Sequence, residues 1–382
     1  MARFRLAAVA LLLTALFAPA AEPVRPAPAS KPVDLVICLD CSGSMGGLID
    51  SARIKLWDVV NELAKVKPTP TLRVGLYSYG GQGPDYPVDK GYTRKEIDLT
   101  MDLDAVYEKL NALKITGHIE YATGVSKRAI DEQKWSDDPA ALKLIFVCGN
   151  EEANQDPNVK YADLGEAAKG KGVIVNSIYC GPDADAVAPG WKDLAAAAGG
   201  KYANIDMNKA KTQLIATPFD KQLGELSGKL NTTYVTYGKD GGKLAENQAA
   251  QDKNAAGAGG GVAASRAASK GGALYRNDTW DLVDRMKNDP KFDIKTVKDD
   301  ELCDEMKKMT PDERLAYLKK KEEERAKIQK EIAELSAKRA KHIEEEQKKA
   351  PKSEDEKALD EALKATIRTQ AKDKGFEVPE KK

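Results

Sequence analysis

The segment VDLVICLDCSGSMGG, residues 33–47, decides the fold. Val33 to Leu39 is an apolar run that only Asp34 interrupts, which is the pattern of a strand buried on both faces of a parallel sheet. An amphipathic helix follows the turn, because apolar residues recur there at steps of three and four: Ile49, Ala52, Leu56, Val59 and Leu63. A buried strand joined by a short turn to an amphipathic helix predicts the first unit of an α/β sheet.

The same alternation of strand and helix continues to about residue 208. Further strands are predicted at residues 72–79, 142–148, 173–179 and 202–205, with helices between most of them. We expect residues 94–99 to form a short antiparallel edge strand, because a Gly/Pro-rich loop joins them to the strand before. Residues 32–208 therefore predict a doubly wound, mainly parallel six-stranded sheet with helices on both faces.

The rest of the chain is more polar and predicts helices. Residues 209–298 are a mixed helical and Ala/Gly-rich region, in which residues 238–272 predict either a loop or a weak helix. Residues 299–350 contain a long charged helix that Thr310 and Glu313 begin as a capping box. Its thin apolar stripe predicts a coiled-coil arm, but the stripe fails at Arg325 and Arg339, so a solvated single helix is the alternative. Residues 351–382 predict a shorter helix, 358–371, and a charged tail.

The first residues predict export. Residues 1–20 combine two arginines, a short apolar run and an Ala-Pro-Ala cleavage pattern, which together indicate a signal peptide. Because the apolar run is shorter than the ~20 residues of a membrane span, we prefer a cleaved signal to an uncleaved anchor. Residues 21–31 predict an extended Pro/Ala linker. The mature chain is then expected in the periplasm or cell exterior, without a membrane span.

The composition argues against a nucleic-acid partner and against a disulfide-based fold. Lys and Arg together number 60 and so do Asp and Glu, so the charge balance does not favour a nucleic-acid partner. Five cysteines in 382 residues are too few, and odd in number, for a disulfide scaffold. We interpret Cys38, Cys148 and Cys180 as small buried side chains, with a bridge among Cys41, Cys148 and Cys180 left open.

The turn after the first strand carries the chemistry. Asp40, Ser42 and Ser44 occupy its first, third and fifth positions, at the carboxyl edge of the sheet where ligands bind in doubly wound folds. These hard oxygen donors suit Mg²⁺ or Mn²⁺, with Ca²⁺ as a further candidate. Helix N-capping is the simpler interpretation of the serines, but it explains neither the acid nor the second hydroxyl.

At these residues the sequence resembles the von Willebrand factor A family, whose metal-ion-dependent adhesion site has the pattern Asp-x-Ser-x-Ser after the first strand. The resemblance covers residues 32–208 and includes the segment VNSIYCGPDADAVAPGWKDLAAAAGGKYANI, residues 175–205. It implies that both Ser hydroxyls bind a metal ion, that Asp40 holds the ion directly or through water, and that an Asp or Glu carboxylate of a partner protein completes the coordination.

Two other ligand positions of that family differ here. In the loop before the third helix the family usually has a Thr, and Ile119 stands at that position here. The adjacent Glu120 is taken as the ligand instead, with Thr116 and Thr123 as rival ligands. After the fourth strand, the family's Thr-Asp-Gly is replaced by a Gly-Asn-Glu sequence, and Glu151 is taken as the substitute for the Asp. The resemblance therefore implies a variant metal site of Asp40, Ser42, Ser44, Glu120 and Glu151.

The sequence favours binding over catalysis. Its two histidines, His118 and His342, are not near the serines in sequence, and no nucleophile with an adjacent base is recognisable. The leading hypothesis is a divalent-metal-dependent protein-binding module, not an enzyme, with the C-terminal helix as a surface for homo-oligomers. One alternative is a metal-free envelope scaffold that acts through its C-terminal helices. The other is a metal-dependent hydrolase that uses Glu120 or Glu151.

Overall fold

A six-stranded sheet forms the centre of the α/β part of the molecule. The computed structural model describes residues 30–204, 215–349 and 354–379. The strand order is β3-β2-β1-β4-β5-β6, and β3 is antiparallel to β2 while all other neighbours are parallel. The predicted fold class, including the antiparallel edge strand, is confirmed. The strands are β1 (Pro32–Asp40), β2 (Thr71–Tyr79), β3 (Thr93–Thr100), β4 (Leu142–Gly149), β5 (Ile174–Tyr179) and β6 (Gly199–Asn204).

Two helical layers bury the faces of this sheet. One face packs against α1 (Gly46–Leu63) and α2 (Leu103–Ala112), and residues such as Leu35 of β1 point into this core. The other face packs against α3 (Ala122–Glu132), α4 (Tyr161–Lys171) and α5 (Ala188–Ala197), with Val36 of β1 in that core. Because successive strand residues face opposite sides, burial on both sides explains the continuous apolar run of β1.

Asp34, the polar interruption of β1, is a structural residue. Its side chain is fully buried and accepts hydrogen bonds from Nε and Nη2 of Arg73, both at 2.8 Å. The backbone N–H of Ser136 also donates to its carboxylate at 2.7 Å. A buried carboxylate is tolerated where such partners compensate its lost hydration, so Asp34 ties β1 to β2.

The Ala/Gly-rich stretch that predicted a loop or a weak helix is helical. After α6 (Asp220–Asn231) it forms α7 (Gly241–Ala258) and α8 (Gly260–Gly271). Helix α8 lies at the centre of the helical region, where it contacts α1, α6, α7 and α11 (Pro311–Lys349). Small side chains let neighbouring helices approach α8 closely, so the composition that weakened the sequence prediction serves the packing.

Two cations of α8 are buried in the contact with the rest of the chain. Arg266 pairs with Asp104 of α2 at 2.7 Å and with Asp252 of α7 at 2.6 Å. Lys270 pairs with Asp252 at 2.8 Å, and burial lowers the pKa of Lys270 to about 8. The guanidinium of Arg266 also lies 4.8 Å from the ring centroid of Trp57 on α1. These contacts join α7 and α8 to α1 and α2, the helices that cover one face of the sheet.

Helix α11 packs within its own chain. It begins at the predicted capping box, in which the backbone N–H of Thr310 donates to Glu313 at 2.7 Å. Leu318 packs in a cluster with residues of α9 (Leu282–Asn288), and Ile332 and Leu335 pack in a cluster with residues of α6 and α8. Intrachain packing therefore covers Leu318, Ile332 and Leu335 of the predicted stripe, whereas Leu315 is 37% exposed. The coiled-coil arm stays a prediction. Homo-oligomer formation through α11 stays a prediction.

Helix α12 (Glu354–Asp373), which follows the short α10 (Asp304–Lys307) and α11, returns to the sheet. The side-chain amides of Gln370 and Asn176 of β5 hydrogen bond reciprocally, at 2.8 and 3.1 Å. Beyond the helix, Glu377 and Lys67 form a backbone bridge. The chain therefore ends its described part against the α/β core rather than as a separate arm.

Several segments predicted from the sequence lie outside the part of the chain that the structure describes. The signal peptide, almost all of the 21–31 linker and the boundary near residue 208 lie outside the described residues. No helix within the described ranges is long and apolar enough to cross a membrane. All five cysteines are free thiols, so the bridge among Cys41, Cys148 and Cys180 is not formed in this structure. Burial raises the pKa of Cys148 to about 12, which keeps that thiol protonated.

The close contact of α8 with α11 gives a first testable prediction. A Cβ added at Gly271 would lie 2.8 Å from Cγ2 of Ile332, a buried residue of α11. We expect Gly271→Ala to lower the free energy of unfolding by about 1–3 kcal/mol, because the packed isoleucine must shift. Gly257→Ala is the control: a Cβ there meets nothing within 4 Å, and alanine in a helix gains about 0.5–1 kcal/mol. Equal stability of the two variants in urea unfolding would contradict this packing.

Candidate metal centre

The serine-containing turn lies where the strand order reverses. Asp40 ends β1, which has β2 on one side and β4 on the other, and ligand crevices of doubly wound sheets open at such a point. Backbone hydrogen bonds hold three segments together here. Cys41 N–H donates to Tyr79 at 2.8 Å, Thr116 N–H donates to Cys41 at 2.8 Å, and Gly43 N–H donates to Gly117 at 3.2 Å. The turn is therefore fixed by the segments that follow β2 and α2.

Asp40, Ser42 and Ser44 lie together in this turn. The backbone N–H of Ser42 donates to Oδ1 of Asp40 at 2.7 Å, and the hydroxyl oxygens of Ser42 and Ser44 are 3.4 Å apart. Asp40 and Ser42 are buried, at 0% and 1% exposure, whereas Ser44 is exposed. One carboxylate and two hydroxyls thus form a group that is closed on the protein side and open to solvent at Ser44.

Glu120 brings a second carboxyl group to Asp40. It is only 5% exposed, and Gly80 lies against both side chains: a Cβ added to Gly80 would lie 2.7 Å from Asp40 Oδ1 and 3.1 Å from Glu120 Cγ. Burial and the neighbouring Glu120 raise the pKa of Asp40 well above its usual value. Gly80 has φ +77°, so this approach of backbone to carboxylates depends on glycine.

One oxygen of each of the two carboxyl groups also lacks a hydrogen-bond partner. Asp40 Oδ2 and Glu120 Oε2 are buried and accept no hydrogen bond. An unsatisfied buried carboxylate oxygen is costly, and a second one beside it adds like-charge repulsion. A divalent cation bound to both oxygens removes both costs, so the residues present fit a metal ion with oxygen ligands. Among the described residues no cluster of three or more His, Cys, Asp or Glu could hold a metal, so this donor set depends on its hydroxyls.

The rival ligands on the loop before α3 have other roles. The hydroxyl of Thr123 is buried and donates to the carbonyl oxygen of Val159 at 2.9 Å. Thr116 is exposed, and its hydroxyl accepts a hydrogen bond from the backbone N–H of Gln82 at 3.2 Å. Of the three candidates on this loop, Glu120 is the one whose carboxyl group lies against Asp40.

After β4, a residue that the sequence analysis missed contacts the turn. Ser44 Oγ donates to Oδ1 of Asn150 at 3.2 Å. Glu151 is exposed, and its backbone carbonyl accepts a hydrogen bond from Trp191 Nε1 at 2.8 Å. Partial burial and the neighbouring carboxyl groups of Glu120 and Glu152 raise the pKa of Glu151. Asn150 follows the strand directly, and that position was the signal available in the sequence.

No family model and no curated protein sequence matches the chain. Solved structures similar to it include proximal thread matrix protein 1 from the mussel byssus, with 13% identity and a TM-score of 0.35 over 47% of this chain and 43% of that one. A second structure of that protein, with a zinc-occupied MIDAS motif, has 12% identity and a TM-score of 0.36 over 48% and 44%. A von Willebrand factor type A structure from Catenulispora acidiphila has 18% identity and a TM-score of 0.33 over 47% and 40%.

The chain therefore spans less than half the length of each of these proteins. At TM-scores of 0.33–0.36 the likeness establishes neither a family nor a function for this chain. The strand pairings of the chain itself give a six-stranded, mostly parallel sheet with one antiparallel pair and flanking helices, which is the architecture expected from the von Willebrand factor A resemblance.

Proposed function

We propose that this chain is a divalent-metal-dependent protein-binding module of the periplasm or cell exterior. Asp40, Ser42, Ser44 and Glu120 hold the cation, with Glu151 near the opening, and an Asp or Glu carboxylate of a partner protein completes the coordination. The observation that carries the proposal is the pair of buried carboxylate oxygens, on Asp40 and Glu120, that have no hydrogen-bond partner. When bound, an Mg²⁺, Mn²⁺ or Ca²⁺ ion supplies positive charge and a coordination position for the partner.

The residues of the metal centre have distinct roles in binding the cation. The backbone N–H of Ser42 fixes one oxygen of Asp40 and leaves the other free for the cation. The exposed hydroxyl of Ser44 lies at the opening, where Asn150 orients it. The closed side of the site excludes water, so the partner approaches past Ser44.

A non-catalytic role is part of the proposal. His118 is exposed on its loop, and the ring of His342 lies 6.3 Å from that of Phe219 in the helical region. The scaffold alternative would act through the C-terminal helices, but Leu318, Ile332 and Leu335 of α11 already pack within the chain. We therefore assign binding to the metal centre.

Calorimetric titration of the chain with Mg²⁺, Mn²⁺ and Ca²⁺ tests the proposal. We expect one divalent ion per chain and roughly 10–100-fold weaker binding by Ser44→Ala, since a hydrogen bond or contact to a charged group contributes about 1.5–3 kcal/mol. Ser44 is exposed, so its removal should change the free energy of unfolding by less than about 0.5 kcal/mol.

Ser136→Ala is the matched control for that titration. Ser136 lies beside Asp34, near the opposite end of β1 from the metal centre, and its hydroxyl accepts a hydrogen bond from the backbone of Asp138. Its affinity for each cation should equal that of the unmodified chain. Absence of binding with all three cations would exclude the metal-dependent function.

A further inference from the structure

Glu120 differs from the other members of the metal centre in its burial and its charge. Ser44 is exposed and neutral, whereas Glu120 is a carboxylate with 5% exposure that reaches the turn from another loop. Its Oε2 has no hydrogen-bond partner, and neither has Asp40 Oδ2 beside it. A divalent cation that binds both carboxyl groups would relieve the cost of two buried oxygens without partners.

The backbone around Glu120 holds its side chain in this place. Ile119 forms an antiparallel bridge with Gly80, the glycine at which an added Cβ would lie 2.7 Å from Asp40 Oδ1 and 3.1 Å from Glu120 Cγ. On the other side, the ring of Tyr121 packs edge-on against Tyr92, with centroids 5.8 Å apart. Glu120 is therefore anchored at both neighbouring residues, and its carboxyl group does not depend on a partner protein for its position.

The position of Glu120 beside Asp40 affects the net charge of a metal-loaded site. Asp40 and Glu120 together carry two negative charges, which neutralise a divalent cation. A third carboxylate approaching from outside then meets a neutral site that has a negative rim at Glu151 and Glu152, both exposed. The attraction that would draw in an external carboxylate is largely cancelled while Glu120 remains on the cation.

We propose that Glu120 is a built-in competitor of the partner: its carboxylate occupies the place on the cation that the partner's carboxylate takes, so the partner binds only when Glu120 moves away. This inference rests on the proposed function and adds its regulation. The same anchoring that places Glu120 makes the closed state the resting state of the loaded chain, and a partner must offer a better carboxylate or move the loop at residues 113–121.

Manganese loading of the full chain allows a direct test. The number of water molecules bound to Mn²⁺ is measured by water-proton relaxation, and sodium acetate serves as the external carboxylate. We expect the unmodified chain to show little change up to high acetate concentrations. Glu120→Ala should gain bound water, and acetate should displace that water at a concentration at least tenfold lower.

Two further variants make the result decisive. Glu120→Gln keeps the shape of the side chain and removes its charge, so it should also respond to acetate if the alanine variant loses affinity for Mn²⁺. Ser136→Ala, near the opposite end of β1 from the metal centre, is the control and should behave as the unmodified chain does.

The outcomes separate this inference from the proposed function. If the unmodified chain binds no Mn²⁺, the metal-dependent function fails and the inference falls with it. If the unmodified chain binds Mn²⁺ and responds to acetate as strongly as Glu120→Ala does, the function stands and the competitor role is overturned. Loss of all Mn²⁺ binding in both Glu120 variants would also overturn it, because Glu120 would then be an indispensable ligand.

Discussion

Asp40→Asn is expected to stabilise the metal-free chain and to abolish its stabilisation by divalent cations. The amide retains an oxygen for the Ser42 N–H and places an N–H₂ group beside the unpartnered carboxylate of Glu120. Replacing an unsatisfied buried acceptor by a donor should raise the free energy of unfolding in chelator by about 1–3 kcal/mol. The chain with Asp40 intact should instead gain about 2.7 kcal/mol when the free cation is at 100 times its dissociation constant. Thermal unfolding with chelator and with Mg²⁺ or Mn²⁺ measures both effects.

Asp34→Asn is the matched control, because it changes the other buried aspartate of the same strand. Asp34 has full partners in Arg73 and Ser136, so its replacement should lower stability by about 1–3 kcal/mol and leave the cation-induced shift intact. The two substitutions should therefore have opposite effects in chelator. A destabilised Asp40→Asn variant, or one that still responds to cations, would contradict the assignment of Asp40 as a ligand.

The α/β part of the fold was predictable because its signals are local. Burial on both faces makes each parallel strand a continuous apolar run, and the glycine-containing turns mark the strand ends. Helix α8 was not predictable in this way. Its buried apolar residues are one valine and small alanines, and its two cations, Arg266 and Lys270, resemble surface residues in the sequence although aspartates of α2 and α7 pair with them. Its burial follows from tertiary packing, which a local pattern does not record.

The residues of the metal centre also differ in how far the local sequence predicts their positions. Asp40, Ser42 and Ser44 belong to one turn, so their spacing alone predicted that they meet. Glu120 and Asn150 come from loops that only the strand order brings to this edge. Which of Asn150 and Glu151 contacts Ser44 depends on the residue at which β4 ends, and the sequence does not define that end to within one residue.

Arg325 of α11 shows why an interrupted apolar stripe is a misleading sign of how this helix packs. Arg325 interrupts the stripe, yet it is 2% exposed and reaches Asp281 and Asp284 at 2.6 and 2.7 Å. Its guanidinium also donates to the carbonyl oxygen of Thr233 at 2.7 Å and lies 4.2 Å from the ring centroid of Tyr234. These partners lie at least 41 residues away in the sequence, so an apparent interruption is a specific docking contact.

Arg325→Met should be the most destabilising single substitution of the helical region that we consider. It leaves Asp281 and Asp284 buried at 0% and 8% exposure without their cation. Removing one partner of a buried ion pair costs about 3–5 kcal/mol, chiefly because the remaining charge is uncompensated. Urea unfolding at pH 7 measures this loss. Arg285→Met removes an exposed ion pair with Asp289 on the neighbouring helix and should cost at most about 1 kcal/mol.

The pH dependence of the Arg325→Met defect distinguishes lost charge compensation from lost packing. Burial and the neighbouring Asp281 already raise the pKa of Asp284 to about 6, above its value in the unfolded chain. A carboxyl group with a raised folded-state pKa binds more protons when folded, so its unfavourable contribution diminishes as the pH falls through that value. Without Arg325 the pKa rises further, and the defect at pH 7 should therefore shrink at pH 5. A defect of equal size at both pH values would mean that Arg325 contributes by packing against Tyr234 rather than by charge.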